Sequence, residues 1–380
     1  MREDKKSMSS KDFHNEPFDD ETKLKLEIFR DYIREWLPVF FSKGCPFQSI
    51  NIFDFFAGPG RDSIGQEGSP LIIIDEINKY TTNPEIYINL NIPISILFND
   101  FDSKKIESLK KEIDLKNIGN LKIKCTDMDF QESFEANQRI LGSNSDASLV
   151  ILDQSGVKQI PPAIFQQLID LPTTDFMFFI SSSFLKRFIE TPAMKQYFPN
   201  MSAEKIRAVS LTNVHRFVCE HYSKLIPSQK DYYLAPYSIK KGANIHGIIF
   251  GSSKLIGLEK FLKVSWDKDG ISGEANFDID DDFARNGPAL FEDMNISKKI
   301  NVFSQKIINF LTGTFKSNND LYKFTLEYGC LPKHTKKILR TLQNQGRIQT
   351  DPPDIRKGSF YLNWDYYKKQ EVKAKFRMKE

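Results

Sequence analysis

Four aspartates lie at the ends of short apolar segments of the sequence. Asp54 ends "SINIFD", Asp100 follows "ISILFN", Asp127 follows "LKIKCT" and Asp153 follows "ASLVIL". If these segments are parallel strands, their carboxyl ends meet at one edge of a sheet, where doubly wound folds bind ligands. Four carboxylates at one edge are costly unless they accept hydrogen bonds from a ligand with hydroxyl, ammonium and amine groups. The pattern therefore predicts a small-molecule site.

The first of these segments runs into the glycine loop "FFAGPG", in which Gly58 and Gly60 allow the backbone to approach a ligand closely. A phosphate-binding P-loop is excluded, because Gly-Lys-Ser/Thr does not follow. A dinucleotide fingerprint would need a third glycine where Ser63 stands. An acid beside the loop also disfavours a pyrophosphate. The ligand that fits best is S-adenosylmethionine, which carries a cationic amino group, a ribose diol and an adenine amine.

Three of the aspartates receive a role in this interpretation, although any one of them alone is more often a helix cap or turn residue. Asp54 and the backbone of the glycine loop hold the methionine part, Asp100 binds the ribose hydroxyls, and Asp127 receives the adenine amine. The predicted cofactor-binding residues are Asp54, Phe56, Ala57, Gly58, Gly60, Asp100, Phe101, Asp127 and Met128.

The elements that must position these residues follow from hydrophobic periodicity. The stretch "KLKLEIFRDYIREWLPVF" has the spacing of an amphipathic helix. Five apolar runs then alternate with helical patterns, and "DYYLAPYSIKKGANIHGIIFGS" indicates a hairpin at one edge. The predicted fold class is α/β, with a doubly wound, mostly parallel, seven-stranded sheet over residues 21–290. Residues 1–20 are polar and aperiodic, which predicts disorder.

The C-terminal part has a different pattern. Three helical segments, "VFSQKIINFLTG", "NNDLYKFTLEYG" and "LPKHTKKILRTLQNQG", precede two short strands at "GRIQ" and "GSFYLNW". This order predicts a winged helix-turn-helix domain over residues 291–366, followed by a basic tail, 367–380. Such domains read DNA or dock on proteins. We expect Asn319 or Asp320 to cap the second helix and Pro332 to open the third.

Charge is distributed unevenly along the 380 residues. The net charge is +3, but residues 331–380 carry 13 Lys and Arg against five acids, so that residues 1–330 are net negative. A basic end favours an anionic partner such as DNA or RNA, although lysine-rich ends are also merely solubilising. The predicted nucleic-acid-binding residues are Lys333, His334, Lys336, Lys337, Arg340, Arg347, Arg356 and Lys357.

Cysteine usage and hydropathy bound the remaining possibilities. The four cysteines are far apart and form no Cys-x-x-Cys pair, which favours reduced thiols in a cytoplasmic protein and no metal site. No apolar run is long enough to cross a bilayer, so no membrane partner is expected.

At this point the sequence resembles a known family, the three-Cys-motif partner proteins (TcmP). The resemblance lies in "KLEIFRDYIREWLPVF", "DFFAGPG…GSPL", "LDQSGVKQIP", "HGIIFGSSKLIGLEKFLKVSWD", "ISGEANFDI" and "NNDLYKFTLEYGCLPKHTKKIL", and covers most of residues 20–350. It implies a class I methyltransferase-like Rossmann fold. It also implies a partner protein with a three-cysteine motif of the radical-enzyme type.

The loop after the fourth strand departs from what the resemblance leads us to expect. Amino methyltransferases of this type carry Asp/Asn-Pro-Pro-aromatic there, in which the acid and a proline carbonyl hold the target amine and the aromatic ring stacks on a flipped base. The family variant that we expect is Asp-Pro-aromatic-Gly. Here the predicted catalytic residues read Asp153, Gln154, Ser155 and Gly156. Loss of the stacking ring removes roughly 1–3 kcal/mol of base binding.

Two functions remain open. In the first, the protein is an S-adenosylmethionine-dependent methyltransferase acting on a base amino group of a nucleic acid. Asp153 and Gln154 then hold the amine, and Phe184 or Tyr237 supplies the missing ring. In the second, the protein is a non-catalytic subunit that binds nucleic acid and the three-Cys-motif partner. A third hypothesis, a ligand-sensing winged-helix regulator, leaves the fourth-strand loop unexplained.

Overall fold

The computed structural model describes residues 16–41, 45–81, 92–154, 160–195, 197–198, 201–282, 297–353 and 355–379. The N-terminal segment predicted to be disordered lies largely outside this range. Its described end packs on the glycine loop, because the Phe18 amide donates a 2.6 Å hydrogen bond to Asp62.

Seven strands form the main sheet, and they are β1 (Ser49–Asp54), β2 (Ile94–Asn99), β3 (Lys122–Thr126), β4 (Asp146–Leu152), β5 (Thr174–Ile180), β6 (Tyr233–Lys241) and β7 (Asn244–Ser252). Their order is β3-β2-β1-β4-β5-β7-β6. The first five are mutually parallel, whereas β7 runs antiparallel to both β5 and β6. The predicted mostly parallel, doubly wound, seven-stranded sheet and the edge hairpin are confirmed.

Helices cover both faces of this sheet. They are α1 (Asp20–Trp36), α2 (Ser69–Thr81), α3 (Ser103–Asp114), α4 (Phe130–Ala136), α5 (Gln138–Leu141), α6 (Pro162–Asp170), α7 (Ser182–Phe188), α8 (Pro192–Lys195), α9 (Ala203–Ala208), α10 (Val214–Ser223) and α11 (Leu255–Lys268). Two buried apolar clusters result, one including α1, α2 and α11 and the other α6, α7 and α10. The strand ends that bear the predicted site are thereby fixed between two packed layers.

Helix α1 explains how the N-terminal part joins the sheet. Asp19 caps it by accepting the Thr22 amide at 2.9 Å, and two acids in its first turn suit the helix dipole. Its apolar face packs on α2 and α11. At its far end, Tyr32 and Trp36 donate to Asp175 of β5, at 2.7 and 3.0 Å. The helix therefore runs across the sheet, with its first turns near the strand ends of interest.

The C-terminal domain contains α12 (Lys298–Leu311), α13 (Asn318–Glu327), α14 (Pro332–Asn344) and α15 (Trp364–Lys368), with β8 (Lys316–Ser317), β9 (Ile348–Asp351) and β10 (Lys375–Met378). The three strands form an antiparallel sheet in the order β8-β10-β9. Pro332 opens α14 as predicted. The cap of α13 is instead Ser317, in a capping box with Asp320.

The wing differs from the prediction at its second strand. The stretch "GSFYLNW" is not a strand, and β9 pairs with β10, which lies within the segment predicted to be a tail. Ala374 and Phe376 are buried, whereas Lys375 between them is exposed. This alternation is a half-buried strand pattern that the basic composition concealed.

The two domains are joined by specific contacts. Trp266 of α11 donates to the Gly329 carbonyl at 3.0 Å. Lys299 of α12 contacts Glu274 at 2.6 Å, and its side chain is only 8% exposed. Burial alone would raise the pKa of Glu274, but Lys299 and Arg216 lower it to about 2. The winged helix is therefore docked by a buried ion pair rather than tethered by a linker alone.

Candidate functional site

The glycine loop forms a tight return between β1 and α2. Gly58 and Gly60 have φ of 67° and 92°, in the left-handed region that side chains disfavour. The Ala57 amide donates to the Asn99 carbonyl at 2.9 Å, and the Gly68 amide donates to the Gly60 carbonyl at 2.7 Å. These contacts hold the loop against the end of β2.

Asp54 lies behind this loop and is fully buried. Its carboxylate accepts the Ser69 hydroxyl at 2.6 Å and the Phe56 amide at 3.2 Å. Burial raises the pKa of Asp54 to about 7, and the nearby Asp153 and Asp100 add to the shift. The structure thus places Asp54 where it orders the glycine loop from within.

Asp100 pins the same loop from the side. One of its carboxylate oxygens accepts the Gly58 amide at 3.1 Å, and the other accepts the Asp102 amide at 3.0 Å. Each oxygen retains a lone pair for a further donor. The structure therefore brings Asp100 and the glycine loop together, as the sequence interpretation requires.

Asn99 is a residue that the sequence interpretation missed. It is buried, its side-chain NH₂ donates to the Met128 carbonyl at 3.0 Å, and its oxygen accepts the Met128 amide at 3.1 Å. The same oxygen accepts the Thr126 hydroxyl at 2.8 Å. Asn99 thus ties the end of β2 to the loop after β3. The amide beside the acid in "FND" was the available signal.

Two predicted cofactor residues are strongly exposed. Phe101 is 78% exposed directly after Asp100, and Asp127 is exposed after β3, whereas Met128 is half-buried. The Phe101 ring lines a cavity at the carboxyl edge of the sheet.

Two cavities adjoin at the carboxyl edge of the sheet. The first, of about 360 Å³, is lined by Phe55, Phe56, Asn99, Phe101, Asp129, Phe130, Gln131, Gln154, Pro161, Ile164 and Tyr197. The second, of about 300 Å³, has Phe56, Ala57, Gly60, Ser69, Asp153, Gln154 and Phe179 in its walls, together with residues of α1 and the β6–β7 hairpin. Phe56 and Gln154 line both cavities, so one elongated ligand could extend from the first into the second.

Gln154 marks the junction. It is 9% exposed, and its side-chain oxygen has no hydrogen-bond partner among the described residues. A buried acceptor without a donor costs about 1–3 kcal/mol. Such an atom therefore points to a ligand or water that donates to it. The other two predicted catalytic residues, Ser155 and Gly156, lie outside the described residues.

Asp153 projects into the second cavity, where the structure gives it a partner that the sequence did not suggest. The Lys25 ammonium of α1 lies 2.5 Å from its carboxylate. The same ammonium lies 4.8 Å from the centroid of the Phe179 ring. Phe179 thus provides an aromatic ring at this edge. Of the two predicted rings, Tyr237 is fully buried and Phe184 packs on Phe188 at 4.3 Å.

Four further side chains with charged or titratable groups lie in the wall of the second cavity. His246 of β7 lies 3.3 Å from Glu21 of α1, and Lys241 of β6 contacts Glu21 at 3.6 Å and also Asp19. Burial raises the pKa of Glu21 to about 7 and lowers that of His246 to about 4. Near neutral pH the Glu21 side chain is therefore divided between its carboxylate and carboxylic acid forms, whereas His246 is neutral.

The predicted nucleic-acid residues divide into two groups. Lys333, Lys337 and Arg340 are exposed on α14, and Arg347, Arg356 and Lys357 are exposed near the wing. These six side chains are referred to below as the basic face. Lys336 is half-buried. His334 packs on Trp266 of the first domain, with ring centroids 4.2 Å apart, and accepts the Leu331 amide at 3.1 Å. Burial, with nearby lysines, lowers the pKa of His334 to about 4.

Among the described residues, no helix is long and apolar enough to cross a bilayer. The same residues include no group of three or more His, Cys, Asp or Glu side chains that could hold a metal ion.

Comparisons with known proteins identify one family model and a set of similar solved structures. A family model described as the GMT-like wHTH domain matches residues 278–355. No curated protein matches the sequence significantly. Similar solved structures include a SAM-dependent methyltransferase from Agrobacterium tumefaciens, with 10% identity, a TM-score of 0.34 and 62% of each chain covered. Another is Trm1 from Pyrococcus horikoshii with S-adenosyl-L-methionine, with 9% identity, a TM-score of 0.37, and 64% of this chain and 59% of that chain covered. The chain thus spans about three fifths of the length of either structure.

Proposed function

We propose that the protein is an S-adenosylmethionine-dependent methyltransferase that acts on an amino group of a nucleic-acid base. The observation that carries this proposal is the pair of adjoining cavities joined at Gln154, whose side-chain oxygen has no donor among the residues that the structure describes. One cavity suits a nucleoside, and the other holds Asp153, an acid suited to an acceptor amine. A methyl donor and an acceptor must meet at such a junction.

The residues of the first cavity and the glycine loop fit this cofactor. Phe101 and Phe130 line the first cavity and offer apolar rings for adenine. Asp100 lies in sequence between Asn99 and Phe101 of the cavity wall, and its carboxylate has lone pairs for the ribose hydroxyls. The glycine loop offers close backbone approach to the methionine part, while Asp54 supports that loop from behind. When bound, S-adenosylmethionine supplies the transferable methyl group on a sulfonium centre.

The second cavity supplies groups for an acceptor. The Asp153 carboxylate and the Gln154 oxygen accept amine hydrogens, which would fix the nitrogen lone pair toward the donor. Phe179 provides an aromatic surface for a base, in the role that Phe184 or Tyr237 was predicted to fill. The carboxylate form of Glu21, whose pKa burial raises to about 7, would accept the proton that the acceptor releases.

The basic face supports nucleic acid as the partner. Its six exposed cationic side chains lie on α14 and near the wing, the elements with which winged helices approach DNA. Binding assays with duplex DNA and duplex RNA distinguish the two kinds of nucleic acid. A partner with a three-cysteine motif is implied by the family resemblance alone.

One observation favours the second function, that of a non-catalytic binding subunit. One carboxylate oxygen of Asp153 is already paired with Lys25, so an acceptor amine meets a competing ammonium group in this conformation. Under this alternative the first cavity still binds the cofactor, and the basic face still binds nucleic acid.

Calorimetry and a transfer assay separate these functions. We expect micromolar binding of S-adenosylmethionine by the wild type and its loss in Asp100→Ala, because this change removes both a ribose acceptor and the pin on Gly58. Asp102→Ala is the matched control, since Asp102 caps α3 and its loss costs about 1 kcal/mol of helix stability. Tritium transfer to DNA, RNA or protein supports the enzyme. Binding without any transfer supports the subunit, and no binding at all refutes both.

A further inference from the structure

The Lys25 ammonium occupies an enclosed position at the carboxyl edge of the sheet. It lies 2.5 Å from an Asp153 carboxylate oxygen, and the two side chains are only 12% and 18% exposed. On another side is the Phe179 ring, at 4.8 Å from the ammonium nitrogen. Lys25, Asp153, Phe179 and Gln154 all line the same cavity. This is more burial than a surface ion pair has.

These surroundings have the chemistry of a subsite for a primary amine. A carboxylate accepts two or more N–H hydrogens, and an aromatic face attracts a cation. The nine-tenths-buried Gln154 adds an acceptor that the described residues leave without a donor. An incoming amine would need the Asp153 carboxylate and the Phe179 ring, and Lys25 already contacts both of them.

We propose that the Asp153–Phe179–Gln154 subsite binds primary amines and that Lys25 is its internal occupant, which an acceptor amine must displace. The inference rests on the proposed function where it takes the acceptor to be an amine. It deepens that function, because it gives the site a built-in competitor. If Lys25 leaves the subsite only about a tenth of the time, the apparent dissociation constant of an amine rises about tenfold.

The position of Lys25 on α1 gives displacement a structural route. The first turns of α1 cover the second cavity and are held by polar contacts. The Phe18 amide donates to Asp62, and Asp19 contacts Lys241. Glu21 contacts both His246 and Lys241. Rotation of the Lys25 side chain, or a small movement of these first turns, would release Asp153. The rest of α1 is fixed by its packing on α2 and α11.

The direct test restores the missing ammonium from solution. Lys25→Ala removes three methylene groups and the charge, so n-propylammonium can replace what was deleted. We expect this ion to raise the thermal midpoint of Lys25→Ala saturably, with half-saturation on the order of 1–10 mM for its four non-hydrogen atoms. The wild type should show no saturable rise over the same range, since its subsite is filled.

Matched controls define the subsite. n-Propanol has the same size without the charge and should have no saturable effect on Lys25→Ala. The double variant Lys25→Ala/Asp153→Asn should lose the response to n-propylammonium. Lys23→Ala, which removes a 42%-exposed lysine from the same helix, should also give none. A response in Lys23→Ala equal to that in Lys25→Ala, or one that persists in the double variant, overturns the proposal.

A second measurement needs no truncated lysine and covers the case in which Lys25→Ala does not fold. Wild-type protein is treated with sulfo-NHS-acetate, and the acetylation rates of individual lysines are read by peptide mass spectrometry. Lys25 should react at least about tenfold more slowly than Lys23, because its reaction requires a local opening. Asp153→Asn should bring the two rates together. Equal rates in the wild type refute internal occupancy. Neither experiment uses S-adenosylmethionine, so failure here is distinguishable from failure of cofactor binding.

Discussion

Charge reversal on the basic face gives a quantitative test of nucleic-acid binding. Each phosphate contact contributes about 0.9 to the slope of log K against log salt for duplex DNA. If all six exposed residues contact phosphates, the wild-type slope is about −5. Lys337→Glu/Arg340→Glu removes two contacts from one side of α14. The slope should then fall in magnitude by about 2, and the affinity at 0.1 M salt should fall by about two decades.

Fluorescence anisotropy with labelled duplex DNA and duplex RNA, at salt concentrations from about 50 to 300 mM, measures both the slope and the affinity. Lys306→Glu is the matched control, because Lys306 is exposed on α12, outside the basic face. It should change the slope by much less than the double variant. If the double variant and the control give the wild-type slope, α14 does not contact phosphates. The winged helix would then be a protein-docking domain.

Two further predictions concern stability. Between about pH 4 and 7, the unfolding free energy of the wild type should fall by up to about 4 kcal/mol relative to that of Asp54→Asn. The reason is that a carboxyl group whose pKa is raised to about 7 in the folded protein favours folding at low pH and loses that contribution as the pH rises. Urea titrations at several pH values that show a constant difference between the two proteins would contradict this. Lys299→Met should destabilise the protein by about 3 kcal/mol, because it leaves Glu274 with one fewer cation in a buried contact. Lys306→Met is the control, and equal calorimetric midpoints for the two variants would refute the domain-docking role.

Much of the fold could be predicted because its signals are local. Apolar runs that end in Asp54, Asp100, Asp127 and Asp153 show where strands end, and the parallel arrangement then brings those ends to one edge. β10 was missed for a local reason too, since lysine and arginine alternate with its buried residues and make the segment look like a solubilising tail.

The residues that α1 and the β6–β7 hairpin contribute to the second cavity could not be predicted in the same way. Lys25 and Glu21 come from a helix that precedes the sheet, and Lys241 and His246 come from the hairpin more than two hundred residues later. They meet because α1 crosses the sheet and packs on α11, a contact with no signal in local periodicity. A lysine on an amphipathic helix is read as solvent-facing unless that packing is known.

The structure also changes the reason for inferring a ligand at this edge. Four acids at one edge of a sheet indicated a ligand because carboxylates need donors or cations. Three of them already have partners within the protein: Asp54 accepts from Ser69, Asp100 accepts from Gly58, and Asp153 is paired with Lys25. Their convergence therefore does not by itself require a bound molecule. The stronger indication is Gln154, a buried acceptor that the described residues leave without a donor at the junction of two cavities. A ligand that donates to Gln154 would satisfy an atom that the described residues leave without a partner.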